Sequence, residues 1–353
     1  MLHSFRGFLV LAALALCFVA QGQSYPPAWS SSSTYAVGDQ VQLSGNIYRS
    51  LKAGSNENPT LAYSYWEAYY IRNAITVPVG AEMRCPTLTA AWGYIANARI
   101  APAATVQILI ITKYAAFNEN FTAPVVLDHS DGSRISIIGD NAAQIHLAFN
   151  STDGFVIDSG HSFGTISKVS LTAINPYHYA LHFIGPGICK LLTSVYVAGF
   201  GTGIEADSGY ILNLDSSVGI NNCENALVAD GNSLISCGSG LTIVGTGVLT
   251  SHGIECDYGS TVSAPGCNIS KAGAAIYASF RSNVSVDNST FNNNGTSIYA
   301  AGSSYVSVMN ATVSNSSEYD AEITSVSTVY APGTTMNNVF FPYSDGSQLI
   351  TAG

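Results

Sequence analysis

Ala275-Ile276-Tyr277-Ala278 is followed 22 residues later by Ser297-Ile298-Tyr299-Ala300, and the same phrase runs back through the chain. It reads Ala180-Leu181-His182-Phe183, Gly203-Ile204-Glu205-Ala206, Ala226-Leu227-Val228-Ala229 and Gly253-Ile254-Glu255-Cys256. A small residue precedes a branched apolar anchor, any residue follows, and a second small residue closes most copies. With Val156 and Ile323 taken as the outermost anchors, the steps are 25, 23, 23, 27, 22, 22 and 25 residues. Repeats this short cannot bury their own apolar face, so they stack on one another as a solenoid.

Inside each repeat the period is two, which predicts strands. Six residues past the anchor stands Ser233, Ser260, Ser282 or Ser304. Apolar residues follow at plus eight and plus ten: Leu212 and Leu214, Ile235 and Cys237, Val262 and Ala264, Val284 and Val286, Val306 and Val308. Gly, Asn and Ser between them suit tight corners. The expectation is an all-β chain, a parallel β-helix with two or three strands per coil and about 4.8 Å between coils. This pattern resembles the right-handed β-helix family of pectin lyases, polygalacturonases and phage tailspikes, over residues 106 to 345. The resemblance implies a polysaccharide substrate and a glycoside hydrolase or lyase. One departure is plain: of the polygalacturonase signatures only Ser251-His252-Gly253 falls near the right region.

An open solenoid end needs a cover. Residues 73 to 105 are expected as linker and capping helix, with Thr87 as N-cap and Leu88, Ala91, Trp92, Ile95 and Arg99 on one side of a helix over 87 to 100. Pro102 stops it before a first strand, Val106 to Thr112.

The 353 residues are only 10% charged, with 33 Gly and 20 Tyr, which fits a β-rich extracellular protein. Residues 1 to 22 read as a secretory signal: Arg6, an apolar run from Phe8 to Ala20, and the small-x-small site Ala20-Gln21-Gly22. Its removal leaves 11 basic against 22 acidic side chains, which argues against nucleic acid as a partner. No later apolar run is long enough to span a membrane. Six cysteines remain: Cys85, Cys189, Cys223, Cys237, Cys256 and Cys267. Cys189, Cys237 and Cys256 fall at inward positions, where a thiol acts as a small apolar group. No Cys-x-x-Cys or His-x-x-x-His spacing marks a metal site.

Residues 25 to 72 carry a different pattern: Ala28-Trp29, Tyr35-x-x-Gly38-Asp39-x-Val41, Gly45-x-x-Tyr48, Pro59 and Trp66. This order and spacing resembles the chitin-binding type 3 carbohydrate-binding module, with Arg49-Ser50-Leu51-Lys52 where many such binders place exposed aromatics. The resemblance implies a chitin- or cellulose-like ligand. Trp29, Trp66 and the tyrosines Tyr63, Tyr65 and Tyr69 are the candidate sugar platforms, since flat rings stack on sugar faces.

Stacking the repeats brings out a second candidate. Residues at plus one and plus three from the anchor point outward, which would align Asp207, Asp230 and Asp257, with Glu205 and Glu255 beside them. His182 stands at one end of this strip, and at the other Tyr277 and Tyr299 form a stacked pair, the candidates for binding a sugar there. Neighbouring coils bring carboxylates to separations that glycosidases use, making Glu205, Asp207, Asp230, Glu255 and Asp257 acid and base candidates. Two other roles stay open: Ca²⁺ held by Asp207, Asp230 and Asp257, with no further cofactor expected, or a solvated acidic face. The leading function is a secreted protein that engages a plant, fungal or bacterial polysaccharide. The alternatives are a non-catalytic adhesin or spike, and a phage tail-like protein.

Overall fold

The structure, a computed structural model, describes residues 26–83, 85–113, 115–173, 177–342 and 345–351. The expected signal, residues 1–22, lies outside them.

The repeats build a parallel β-solenoid of about nine coils. One wall is a ten-stranded sheet of the anchor strands: Val125–Val126, Phe155–Ile157, Tyr179–Ile184, Thr202–Asp207, Asn225–Ala229, His252–Cys256, Ala274–Ala278, Thr296–Ala300, Tyr319–Ile323 and Val339–Phe340. All neighbours in it run parallel. A 19-stranded sheet holds the other two strands of each coil. After Thr202–Asp207, for example, the chain passes through Ile211–Leu214 and Gly219–Asn221 before returning at Asn225–Ala229. On two earlier coils these strands fuse into Phe163–Ala173 and Ile188–Ala198, which turn the corner at Lys168 (φ 54°) and Ser194 (φ 52°).

The phrase has a steric cause at each position. Anchors Leu181, Ile204, Leu227, Ile254, Ile276 and Ile298 are fully buried, and so are the plus-eight residues from Leu212 to Val306. Each such side chain contributes roughly 1.5–3 kcal/mol of burial. The small residue before the anchor also turns inward. A Cβ on Gly203 would lie 2.5 Å from the Ala226 carbonyl oxygen and 2.7 Å from Ile220 Cγ2, and Gly253 is as tightly confined. The plus-six serines are buried at a corner, where sheet pairing leaves amides without partners. Ser233 Oγ accepts from Tyr210 N at 3.1 Å, Ser260 Oγ from Ser233 N at 3.0 Å, Ser304 Oγ from Ser282 N at 3.2 Å and Ser327 Oγ from Ser304 N at 3.1 Å. A buried amide without a partner costs about 1–3 kcal/mol, so the hydroxyl is a structural requirement.

Two anchors shift. Leu181 pairs with Phe155 and not Val156, and Ile298 pairs with Ala321 and not Ile323. Phe155 and Ile157 are buried on either side of half-buried Val156, so parity places the outer two in the core. At the other end Ala321 and Ile323 both face inward, and Ser327 stands six residues past Ala321, as the ladder of hydroxyls demands.

The solenoid starts earlier and ends later than expected. Ile75–Val79 already pairs with Val106–Ile110, inside the stretch read as linker, and Gln348–Ile350 pairs with Thr328–Tyr330. The helix is shorter, Leu88–Ile95, with Thr87 Oγ1 accepting from Ala90 N at 3.1 Å. Arg99 leaves it for a short strand, Arg99–Ile100, parallel to Trp66–Ile71. That pairing joins the small sheet (Gln40–Leu43, Asn46–Ser50, Trp66–Ile71) to the segment after the helix. The Tyr94 hydroxyl adds a bond to the Pro59 carbonyl at 3.0 Å. A sheet this small buries too little to stand securely alone, and here it shares its core with the helix and first coils. All six described cysteines are buried free thiols.

Candidate functional site

The outer face of the ten-stranded sheet aligns the residues that the repeat placed there. His182 pairs with Glu205, Glu205 with Val228, Val228 with Glu255, Glu255 with Tyr277, and Tyr277 with Tyr299. Asp207, Asp230 and Asp257 each follow paired residues and share one column; Asp230 N donates to Ala206 O and Asp257 N to Ala229 O, both at 2.9 Å. Parallel pairing at every step carries the alignment through the 27-residue coil between Leu227 and Ile254. That coil absorbs its extra residues elsewhere, in the segment around exposed Val248 and Leu249.

Crowding sets the electrostatics. The Glu205 side chain is 13% exposed, and burial, followed by the charges of Asp207, Asp230 and Glu255, pushes its carboxyl up to about 7. Asp230 is also raised by burial, against a bond from Gly231 N at 2.7 Å. Burial raises Asp257 as well, although the Ser279 hydroxyl donates to it. His182 is pushed down by burial, which favours the neutral ring. Its Nε2 is buried without a hydrogen-bond partner, 4.0 Å from Glu205 Oε1.

One ligand atom from each of His182, Glu205 and Asp207 lies within 4.8 Å of the other two, the one such group among the described residues. The Ca²⁺ set expected from Asp207, Asp230 and Asp257 is therefore not the set that converges. Asp230 and Asp257 are instead bonded to Gly231 and Ser279. A neutral imidazole with two carboxylates has the donor chemistry for a divalent cation. Without a cation, a glutamic acid whose carboxyl is pushed up to about 7 beside Asp207 has the chemistry for general acid catalysis.

The other half of the face is aromatic. His252 stacks on Tyr277 (centroids 4.4 Å apart, 16° between planes) and Tyr277 on Tyr299 (4.9 Å, 5°). His252 Nδ1 also meets Glu255 Oε2 at 3.0 Å, tying the aromatic ladder to the carboxylate strip. Tyr179 stacks on His182 at 4.3 Å, and Asn225 has a buried Oδ1 without a hydrogen-bond partner. Sequence reasoning left Tyr179, Asn225 and His252 out of the strip because they stand two residues before the anchor, where simple alternation points inward. The small residue between turns inward in their place and swings them out. The Ala180, Ala226 and Gly253 that stand before these three anchors were the available signal.

The small sheet distributes its aromatics unevenly. Trp66 is only 2% exposed, its Nε1 donates to the Glu57 carbonyl at 2.8 Å, and Tyr35 packs edge-on at 5.2 Å. It is core, not a sugar platform: its side chain is buried in the same apolar cluster as Val41 and Tyr48. Trp29 is half-buried against the same core. Tyr63 packs edge-on against Tyr94 and lines a cleft of about 350 Å³ with Leu61, Ile75 and Val77. Tyr65 lies under Lys52 and exposed Tyr69 under Arg49, each cation 5.4 Å from the ring centre.

No protein family, no curated protein and no solved structure matches the chain.

Proposed function

We propose that this is a secreted, polysaccharide-engaging protein whose binding surface is the outer face of the ten-stranded sheet, and that it cleaves glycosidic bonds there. One observation carries the proposal: a carboxyl held near neutrality, Glu205, stands in a column of carboxylates that runs directly into a stacked His252-Tyr277-Tyr299 ladder. Such a ladder offers a sugar chain an edge of rings and hydroxyls, while the strip supplies a proton donor and a second carboxylate. Glu205 is the general acid. Asp207 and Asp230, with Glu255 and Asp257 farther along, are the candidates for nucleophile or base. The Glu205 and Asp207 oxygens within 4.8 Å suit the closer spacing of retaining enzymes better than the wider inverting one.

The coil belongs with right-handed, pectin lyase-like β-helices in this proposal, and the helix Leu88–Ile95 closes its first turn. The small sheet acts as a chitin-binding type 3-like module, through Tyr65 and Tyr69 and not through Trp66. Purified protein screened for product release on plant, fungal and bacterial polysaccharides tests the first part, with Glu205→Gln as control. Release that the control retains, or no release from any polymer, removes the catalytic assignment. Retention on insoluble chitin and cellulose, compared between the unmodified protein and Tyr65→Ala/Tyr69→Ala, tests the module.

A further inference from the structure

The corner after each anchor strand repeats one backbone device. Residues at plus four and plus five are both left-handed on seven coils: Ser159/Gly160, Ser208/Gly209, Gly231/Asn232, Tyr258/Gly259, Phe280/Arg281, Gly302/Ser303 and Ser325/Val326. Gly, Asn and Ser fill most of these places, as that conformation favours. On two consecutive coils the plus-four residue is instead a large aromatic, Tyr258 (φ 49°) and Phe280 (φ 49°). A bulky side chain there is strained, and burial does not offset it, since the two residues are 56% and 53% exposed.

The rings stack face to face, centroids 4.7 Å apart and planes within 3°. Glycine holds the same place on the coil before (Gly231) and the coil after (Gly302), so no plus-four side chain covers either outer face. Arg281, exposed beside them, is the only Lys or Arg after Lys271. It takes part in none of the ion pairs among the described residues. The acidic column has ended by its coil, where plus three is Ser279. With Asn232, Gly259 and Gly302, these three side chains line an open cleft of about 400 Å³.

We propose that Tyr258, Phe280 and Arg281 form a second carbohydrate site, taking an acidic sugar unit whose ring face stacks on an aromatic while its carboxylate pairs with the guanidinium. Exposed stacked rings at a conformational cost fit a binding role. Arg is the side chain that grips a carboxylate with two parallel hydrogen bonds. The site borders the catalytic face but does not depend on chemistry at Glu205, so either assignment can fail without the other.

Affinity electrophoresis of the full chain in gels containing polygalacturonate or alginate, against an uncharged β-glucan, tests it. The unmodified protein is retarded by an acidic polymer, and the effect fades with added salt. Tyr258→Gly/Phe280→Gly installs the residue that other coils use, so its Tm stays within about 2 °C of the parent while affinity falls at least tenfold. Arg281→Gln loses the salt-sensitive part alone. The proposal is overturned if no acidic polymer retards the parent, if the double variant is retarded equally, or if it loses Tm markedly, because the rings would then serve the fold.

Discussion

The outer face of the ten-stranded sheet has two halves that share one backbone and oppose each other energetically. From Asp207 to Asp257 neighbouring coils present like charges, with Glu205 and Glu255 beside them, and this repulsion adds to burial in resisting ionisation of Glu205, Asp230 and Asp257. From Tyr277 to Tyr299, and again at Tyr319 and Phe340 (4.9 Å, 12°), neighbouring strands present rings that stack. Beneath both halves run the same buried Leu, Ile and Ala residues. Since one interior supports either surface, the carboxylates are not required by the fold. They are a local cost that the solenoid's core tolerates.

The comparison can be broken at several points. The largest effect is expected on turnover: Glu205→Gln should lower kcat/KM for glycan release by about 10³-fold. Tyr277→Ala, in the ring half, should act mainly on KM, by about tenfold. Initial rates on a soluble oligosaccharide separate the two.

Next comes stability against pH. The folded Glu205 carboxyl sits at about 7 against an ordinary 4.5. Between those values the folded state holds more protons than the unfolded chain, so unfolding free energy falls as pH rises. The loss reaches about 3 kcal/mol above pH 7. Raised Asp230 and Asp257 act in the same direction. Denaturant unfolding at pH 4.5 and pH 7.5 should show this decline, and Glu205→Gln should flatten much of it.

Val228 interrupts the carboxylate row and is 7% exposed. Val228→Glu should therefore destabilise by about 2 kcal/mol at pH 7.5 and by less at pH 4.5, measured the same way. The smallest change belongs to the aromatic half. Tyr299→Ala should cost about 1 kcal/mol from the lost stack, with little difference between the two pH values. Equal pH dependence in these last two variants would erase the distinction between the halves.

Much of this was legible from spacing alone. Alternation around the anchors carried the inward positions, and the 22-to-27-residue step carried the column of Asp207, Asp230 and Asp257. Legibility failed wherever local alternation was the wrong guide. His252 and Asn225 stand at even spacing from the anchor yet face outward, because confined Gly253 and Ala226 take the inward place. Trp66 looked like a platform because an aromatic-rich segment does not reveal which rings face the shared core. The end anchors slipped because Val156 stands between buried Phe155 and Ile157, and because Ala321 and Ile323, two residues apart, both face inward.

The sequence by itself determined that the chain coils, which residues face inward, and that acidic and aromatic positions recur at a common phase, because strand periodicity and repeat length are properties of the chain alone. Only the tertiary structure decided that His182, Glu205 and Asp207 converge, that Glu205 resists ionisation, and that Tyr258 and Phe280 stand uncovered. Proximity across coils and exclusion of water depend on how neighbours pack, and no single repeat contains that information.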